Sequence, residues 1–257
     1  MSRALLAAEL DRWRADGREA TLWWRDDDAV AATPALARLL GLASQHAVPL
    51  ALAVVPAGLD ASLVEAVAGA ATGAVVQHGY AHRNHAAAGA KACELGGARR
   101  VDAAAAELAA GRQRLEAAFG PRFVPVVVPP WNRIDPALVP RLPALGYAGL
   151  STFGARTARE AAPGVVRCNT HADPIRWREG RTFVGADAGL AQVAAHLAAR
   201  RTGAADPDEP TGLLTHHLVF DDAAWTFVDV LLRSTSGHPS ARWIDAREAF
   251  AISAPAA

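Results

Sequence analysis

The chain reads as a single α/β domain of mainly parallel strands with helices packed outside. Three observations predict this. Apolar strand-like runs alternate with amphipathic helix-like segments along almost all of the sequence. No Pro/Ser-rich linker or internal repeat divides it. Its 257 residues, 51% of them hydrophobic, suffice to bury one large core of the kind found in α/β barrels. Residues 1–257 are therefore expected to form one domain.

Taken in order, Thr21-Leu22-Trp23-Trp24 predicts a short strand leading into Asp26-Asp27-Asp28. Thr33 caps a helix with Pro34 at its first position and Leu36, Leu39, Leu40 and Ala43 along its apolar stripe. Residues 49–55 are continuously apolar, as in a strand buried on both faces. Asp60 caps a helix carrying Leu63, Val64 and Val67, and Ala74-Val75-Val76 is a strand that delivers His78. A Gly-rich stretch leads to a long helix over 99–119, stopped by Gly120-Pro121. Residues 123–128 form a strand ending in Pro129-Pro130-Trp131. Asp135-Pro136 opens a helix that ends near Gly146, and a strand follows over 147–151. Residues 153–181 read as irregular. A helix over 187–200, a strand over 213–216, a helix over 222–232 and a last strand over 242–245 complete the chain.

Lys+Arg 26 against Asp+Glu 26 gives no net charge, so neither nucleic acid nor an anionic membrane is an expected partner. Cys93 and Cys168 lack metal-ligand spacing and read as a reduced pair. The N-terminal apolar run is too short and too soon acidic for a signal peptide, and no run reaches the ~20 apolar residues of a membrane span. The expected location is cytoplasmic.

The acidic triplet, the pair His78 and His82, Pro129-Pro130-Trp131 and His216 all fall just after apolar strands, which in a parallel barrel gathers them at the C-terminal rim. Adjacent carboxylates repel unless something positive sits beside them, and a divalent cation would hold one of them ionised. Taken alone, the triplet also suits a solvated turn paired with Arg25. An i, i+4 histidine pair places two ring nitrogens on one side of a helical turn, the right disposition for one metal, although surface histidines show the same spacing. Together, one carboxylate and two imidazoles make a three-point metal cradle with a spare carboxylate as base. Trp131 is either a sugar-facing wall or rim packing. Asn169, His171 and Asp173 cluster in an irregular loop that would contact substrate or hydrogen-bond within itself.

In this order the motifs resemble those of the polysaccharide deacetylases, carbohydrate esterase family 4 of the NodB-homology group. Asp27-Asp28 matches the Asp-Asp pair, His78-Gly79-Tyr80-Ala81-His82 the His-x-x-x-His motif, and Val128-Pro129-Pro130-Trp131-Asn132 the Arg-x-Pro-(Tyr/Trp)-Gly motif. Asp173-Pro174-Ile175-Arg176-Trp177 matches Asp-x-x-Asp-Trp, and Leu214-Thr215-His216 matches Leu-x-His. The matches span residues 22–217. The resemblance implies a distorted (β/α)7-type barrel and hydrolysis of an N- or O-acetyl group on a sugar or related small molecule. It implies Asp28, His78 and His82 as ligands of a divalent metal, zinc first, with cobalt, nickel, manganese or iron as alternatives. It further implies Asp27 as base, His216 as acid, and Pro130, Trp131, Asp173 and Arg176 around the substrate.

The chain departs from the pattern at Gly79, where the family has a hydroxyl residue, and at Asn132, where it has glycine. Val128 replaces the arginine that orients the catalytic aspartate, and Arg176 replaces the second acidic residue of its motif. Arg25 is a candidate replacement for the missing arginine. Two frame choices stay open: Asp26 and Asp27, or Asp27 and Asp28, as base and ligand, and His216 or His217 as acid. Three other readings compete: a carbohydrate-binding pseudoenzyme, a cyclic-amide hydrolase on the same barrel, and an iron(II) oxygenase using two histidines and a carboxylate.

Overall fold

The computed structural model describes residues 2–253. The chain runs α1 (Ser2–Ala15), β1 (Ala20–Ala29), α2 (Pro34–Gln45), β2 (Ala51–Val54), α3 (Ala61–Ala68), β3 (Ala74–His78), α4 (Val101–Phe119), β4 (Phe123–Val128) and β5 (Gly149–Leu150). It continues with β6 (Glu160–Ala162), β7 (Val165–Arg167), β8 (Ile175–Arg176), β9 (Thr182–Phe183), α5 (Ala186–Thr202), β10 (Thr211–Thr215), α6 (Asp222–Ser236), β11 (Ala241–Trp243) and α7 (Ala246–Ala249).

Strands β10, β1, β2, β3, β4, β5 and β7 lie side by side in that order, all parallel. The chain beyond β7 then meets β10 through the parallel bridge between Ala172 and Leu213. There the N–H groups of His171 and Ala172 donate to Gly212 O, and Leu214 N–H donates to Ala172 O. Seven parallel strands thus close into a ring, and the two- and three-residue strands β5 and β7 make one side of it irregular. This is the distorted (β/α)7-type barrel, with β11 added along the start of β1.

Both faces of these strands are buried, which is why they read as continuous apolar runs rather than alternating ones. Trp23, Ala51, Ala53, Val76, Val124, Val126 and Val128 fill the interior, closed by Phe250, whose ring meets Trp23 edge-on at 5.5 Å. Leu22, Trp24, Leu52 and Val54 face outward against the helical layer. Each such side chain contributes roughly 1.5–3 kcal/mol when fully buried. Thr33, Asp60 and Asp221 cap α2, α3 and α6 by accepting backbone N–H groups of Leu36, Ser62 and Ala224.

Three expectations change. Strand β1 does not stop before the aspartates but runs through them to Ala29. Residues 135–145 form turns and a single 3-10 turn at Val139–Arg141 instead of a helix, because Pro140 and Pro143 interrupt the i→i−4 ladder. The irregular stretch contains two short antiparallel pairs, β6 with β7 and β8 with β9. Helix α1, not anticipated, packs on α5, and Trp13 Nε1–H donates to Leu197 O.

Candidate metal centre

Strand alternation alone would put Asp26 and Asp28 on one face of β1 and Asp27 on the other. The structure breaks that alternation. The β1–β2 register shifts between Asp26 and Ala29, and Asp28 takes a left-handed backbone with φ 74°. Asp26 keeps the outward direction: its carboxylate accepts Thr215 Oγ1–H at 2.7 Å and His217 N–H at 3.0 Å, and it pairs with the His217 ring. Asp27 faces the barrel interior, and Asp28 turns toward the histidines.

Asp28 Oδ1 lies 3.1 Å from His78 Nε2 and 3.3 Å from His82 Nε2. Two donors each about 2.1 Å from a tetrahedral zinc stand about 3.4 Å apart, so this spacing suits one ion. Asp28 Oδ1 is buried and has no hydrogen-bond partner. Val128 O lies 3.0 Å from His78 Nδ1, which assigns the ring proton there and leaves the Nε2 lone pair toward Asp28. With the ring neutral, two acceptor atoms face each other at this distance, an arrangement that a shared cation would satisfy. Burial pushes the Asp28 carboxyl up, but His78, His216 and His82 together hold it far below the usual range. The donor set therefore fits a divalent cation such as zinc.

His82 does not sit on a helical turn with His78. His78 ends β3, and the chain then reverses as a loop in which Gly79 and His82 both have φ 53°. Trp131 and Asn132 also have positive φ, at 55° and 56°. Asp28, His82, Trp131 and Asn132 thus concentrate left-handed strain at one pole, as functional sites commonly do. The Trp131 ring packs on the His82 ring at 4.4 Å, and Pro130 is buried beneath the loop.

Arg25 is fully buried on the interior face of β1, and all five of its N–H groups have acceptors. Nε and Nη2 donate to the two Asp27 oxygens at 2.8 and 3.1 Å, Nη1 to Ser151 Oγ and Thr152 O, and Nη2 also to Asn132 Oδ1 at 2.9 Å. The guanidinium comes from β1 rather than from the position of Val128, which is interior packing. Asn132, a departure in the sequence, is one of its supports.

His216 follows β10 on the interior side, its Nε2 4.0 Å from Asp27 Oδ2, whereas His217 faces outward to Asp26. The Trp177 ring meets His216 edge-on at 4.5 Å, and its Nε1–H donates to Asp173 Oδ2 at 2.7 Å. Burial pushes the Asp173 carboxyl up against the pull of His216 and Trp177. Arg176, next to Trp177, is exposed, donates to Val184 O and pairs with Glu179. Asn169 is structural as well, accepting Thr152 N–H and donating to Gly154 O.

A second cluster, His171, His196 and Glu209, lies under α5 and has donor atoms close enough for an ion. Its chemistry does not suit one. His171 Nδ1 accepts Gly212 N–H at 2.9 Å, so the neutral ring carries its proton on Nε2, the atom facing Glu209. The Arg200 and Arg156 charges also bear on His171, and burial with these charges holds it neutral.

One residue that sequence reasoning missed is Glu94, which is fully buried beside the His82 loop. Nothing local to Glu94 marks it, since its partners lie 11 to 14 positions away.

No protein-family profile matches the chain, and no curated protein matches it. Solved structures do. A candidate polysaccharide deacetylase from Mycobacterium smegmatis is 17% identical with a TM-score of 0.68, over 92% of this chain and 90% of that one. The Bc1960 peptidoglycan N-acetylglucosamine deacetylase is 14% identical, with a TM-score of 0.60 over 92% and 90%. A family 4 acetyl xylan esterase from Clostridium thermocellum, in complex with a cobalt ion, is 13% identical, with a TM-score of 0.52 over 90% and 91%. The closed seven-strand ring and these likenesses agree: the chain has the fold of the carbohydrate esterase family 4 polysaccharide deacetylases, carried by a sequence far diverged from theirs.

Proposed function

We propose that this protein is a metal-dependent hydrolase that removes an acetyl group from an N- or O-acetylated sugar or a related small amide. The observation that carries the reading is the convergence of Asp28, His78 and His82 around one unpartnered buried oxygen, with Asp27 and His216 beside it. When bound, a divalent cation, zinc first, polarises water and the acyl oxygen together. Asp28 Oδ1, His78 Nε2 and His82 Nε2 would hold it, and the Val128 carbonyl fixes the His78 tautomer.

Asp27 takes the proton of the attacking water, and the five-point grip on Arg25 keeps that carboxylate in place. His216 gives a proton to the departing amine or alkoxide, with Trp177 limiting its ring motion. Trp131, half-buried against His82, offers an apolar face beside the reacting group, and Pro130 supports it from below. The oxygenase reading is weakened because the donors sit on a parallel α/β barrel. The M. smegmatis and Bc1960 likenesses support deacetylation over cyclic-amide hydrolysis.

Acetate release from a panel of N- and O-acetylated mono- and oligosaccharides, with zinc-loaded protein, tests the reading. Release that disappears in Asp27→Asn supports it, and undiminished release in that variant assigns the base elsewhere.

A further inference from the structure

Resting on that reading, the geometry points to Glu94 as a positioning residue for His82. Its buried carboxylate takes the space of the side chain that position 79 lacks and locks the loop into the conformation that turns His82 toward Asp28.

The loop begins where β3 ends, and nothing regular follows it to satisfy its backbone. Gly79 N–H donates to Val128 O, Gly79 O accepts Gln77 Nε2–H, and Tyr80 O accepts Ala57 N–H. The three N–H groups ahead of and behind His82 converge on one side chain. Tyr80 N–H donates to Glu94 Oε2 at 3.0 Å, and Ala81 and Arg83 donate to Oε1 at 2.7 and 3.3 Å. Charge-assisted bonds of this kind, made away from water, are the strong ones. They flank the strained residue His82, whose positive φ an open loop would not hold.

Glycine at 79 is the counterpart of this carboxylate. A Cβ there would overlap Glu94 Oε2 and lie 2.6 Å from the Pro130 ring, and the φ of +53° disfavours a side chain independently. Glycine at 79 and glutamate at 94 are therefore one solution rather than two unrelated residues. The hydrogen bonds of Glu94 go to the loop backbone rather than to the His82 ring, so it holds that ring in place through the loop.

The test is a double-mutant cycle on zinc affinity in the full chain, using Glu94→Ala, His82→Ala and the pair, with zinc alone as the probe. Removing a supporting partner of a metal ligand costs about 10–100-fold in affinity. Glu94→Ala is expected to show such a loss, and to add little once His82 is already alanine. Glu94→Gln keeps the acceptor for Ala81 and Arg83 and is expected to recover part of the loss. Amide exchange read on the metal-free chain should speed at Tyr80, Ala81 and Arg83 in Glu94→Ala, with Val76 and Val127 unchanged. Losses that add in the double variant, or unchanged zinc affinity in Glu94→Ala, overturn the assignment while leaving the metal centre standing. Wild-type protein that binds no zinc overturns the metal reading and the positioning role with it.

Discussion

Arg25 holds Asp27 by a two-pronged contact, at 2.8 and 3.1 Å, from two positions earlier on the same strand. Both residues are buried, and residues i and i+2 of a strand share a face, so the pair needs no help from a distant segment. Removing one partner of a buried pair leaves an uncompensated charge and costs about 3–5 kcal/mol. Arg25→Ala should lose stability on that scale in urea unfolding. Arg25→Lys, which keeps charge but cannot reproduce the fork, should fold better than Arg25→Ala and still lose turnover. Full activity in both variants would detach Arg25 from the reaction.

Asp27→Asn and Asp28→Asn should separate cleanly. The first is expected to keep bound zinc and lose about 10²–10⁴-fold in kcat, the scale of a lost general base. The second should lose zinc. Metal content and turnover measured on the same preparations check the distinction, and zinc loss in Asp27→Asn with retention in Asp28→Asn would reverse the two roles.

His216 and His217 are neighbours with opposite directions. His216→Ala should depress turnover of amide substrates by about 10²-fold or more, and far less for esters with activated leaving groups that need no proton. His217→Ala should instead cost stability, because it strips a buried partner from Asp26. Comparing kcat ratios on the two substrate types with unfolding midpoints distinguishes them.

Acid should destabilise the fold through the stacked pair His171 and His196, whose ring centroids are 3.3 Å apart. Burial is the main cause that lowers both, His196 to about 2 with His171 and Arg200 adding to the effect. Their folded values lie below the unfolded one of 6.5, so the stability they confer is present above that pH. It declines as pH falls below it, because only the unfolded chain takes up protons there, with a slope of up to about 1.4 kcal/mol per pH unit for each. His217 is shifted upward despite burial, by Asp26, so its effect lies above 6.5 and does not blur the acid limb. Urea midpoints between pH 7 and 5 should fall in the wild type and fall less in His196→Gln.

The β/α order, and hence the pole where the site lies, was legible because both-face burial and amphipathic stripes leave a direct mark on composition. The extent of β1 was not, since three consecutive aspartates read as exposed; Arg25, Thr215 and His217 are what let Asp26 and Asp27 be buried. The i, i+4 spacing of His78 and His82 correctly picked residues that meet but for a helical reason that does not apply, because positive φ at Gly79 and His82 replaces the turn. Pro140 and Pro143 were visible warnings against the helix over 135–145. Asn132 and Gly79 looked like defects because their partners, Arg25 and Glu94, are joined to them only by folding.

The central claim is that Asp28, His78 and His82 hold one divalent ion, and zinc analysis of protein purified without chelator tests it most directly. The account predicts about one zinc per chain, bound too weakly to survive purification once any of the three is alanine, while the far-ultraviolet spectrum of the fold persists. Zinc that remains bound in both His78→Ala and His82→Ala would contradict it.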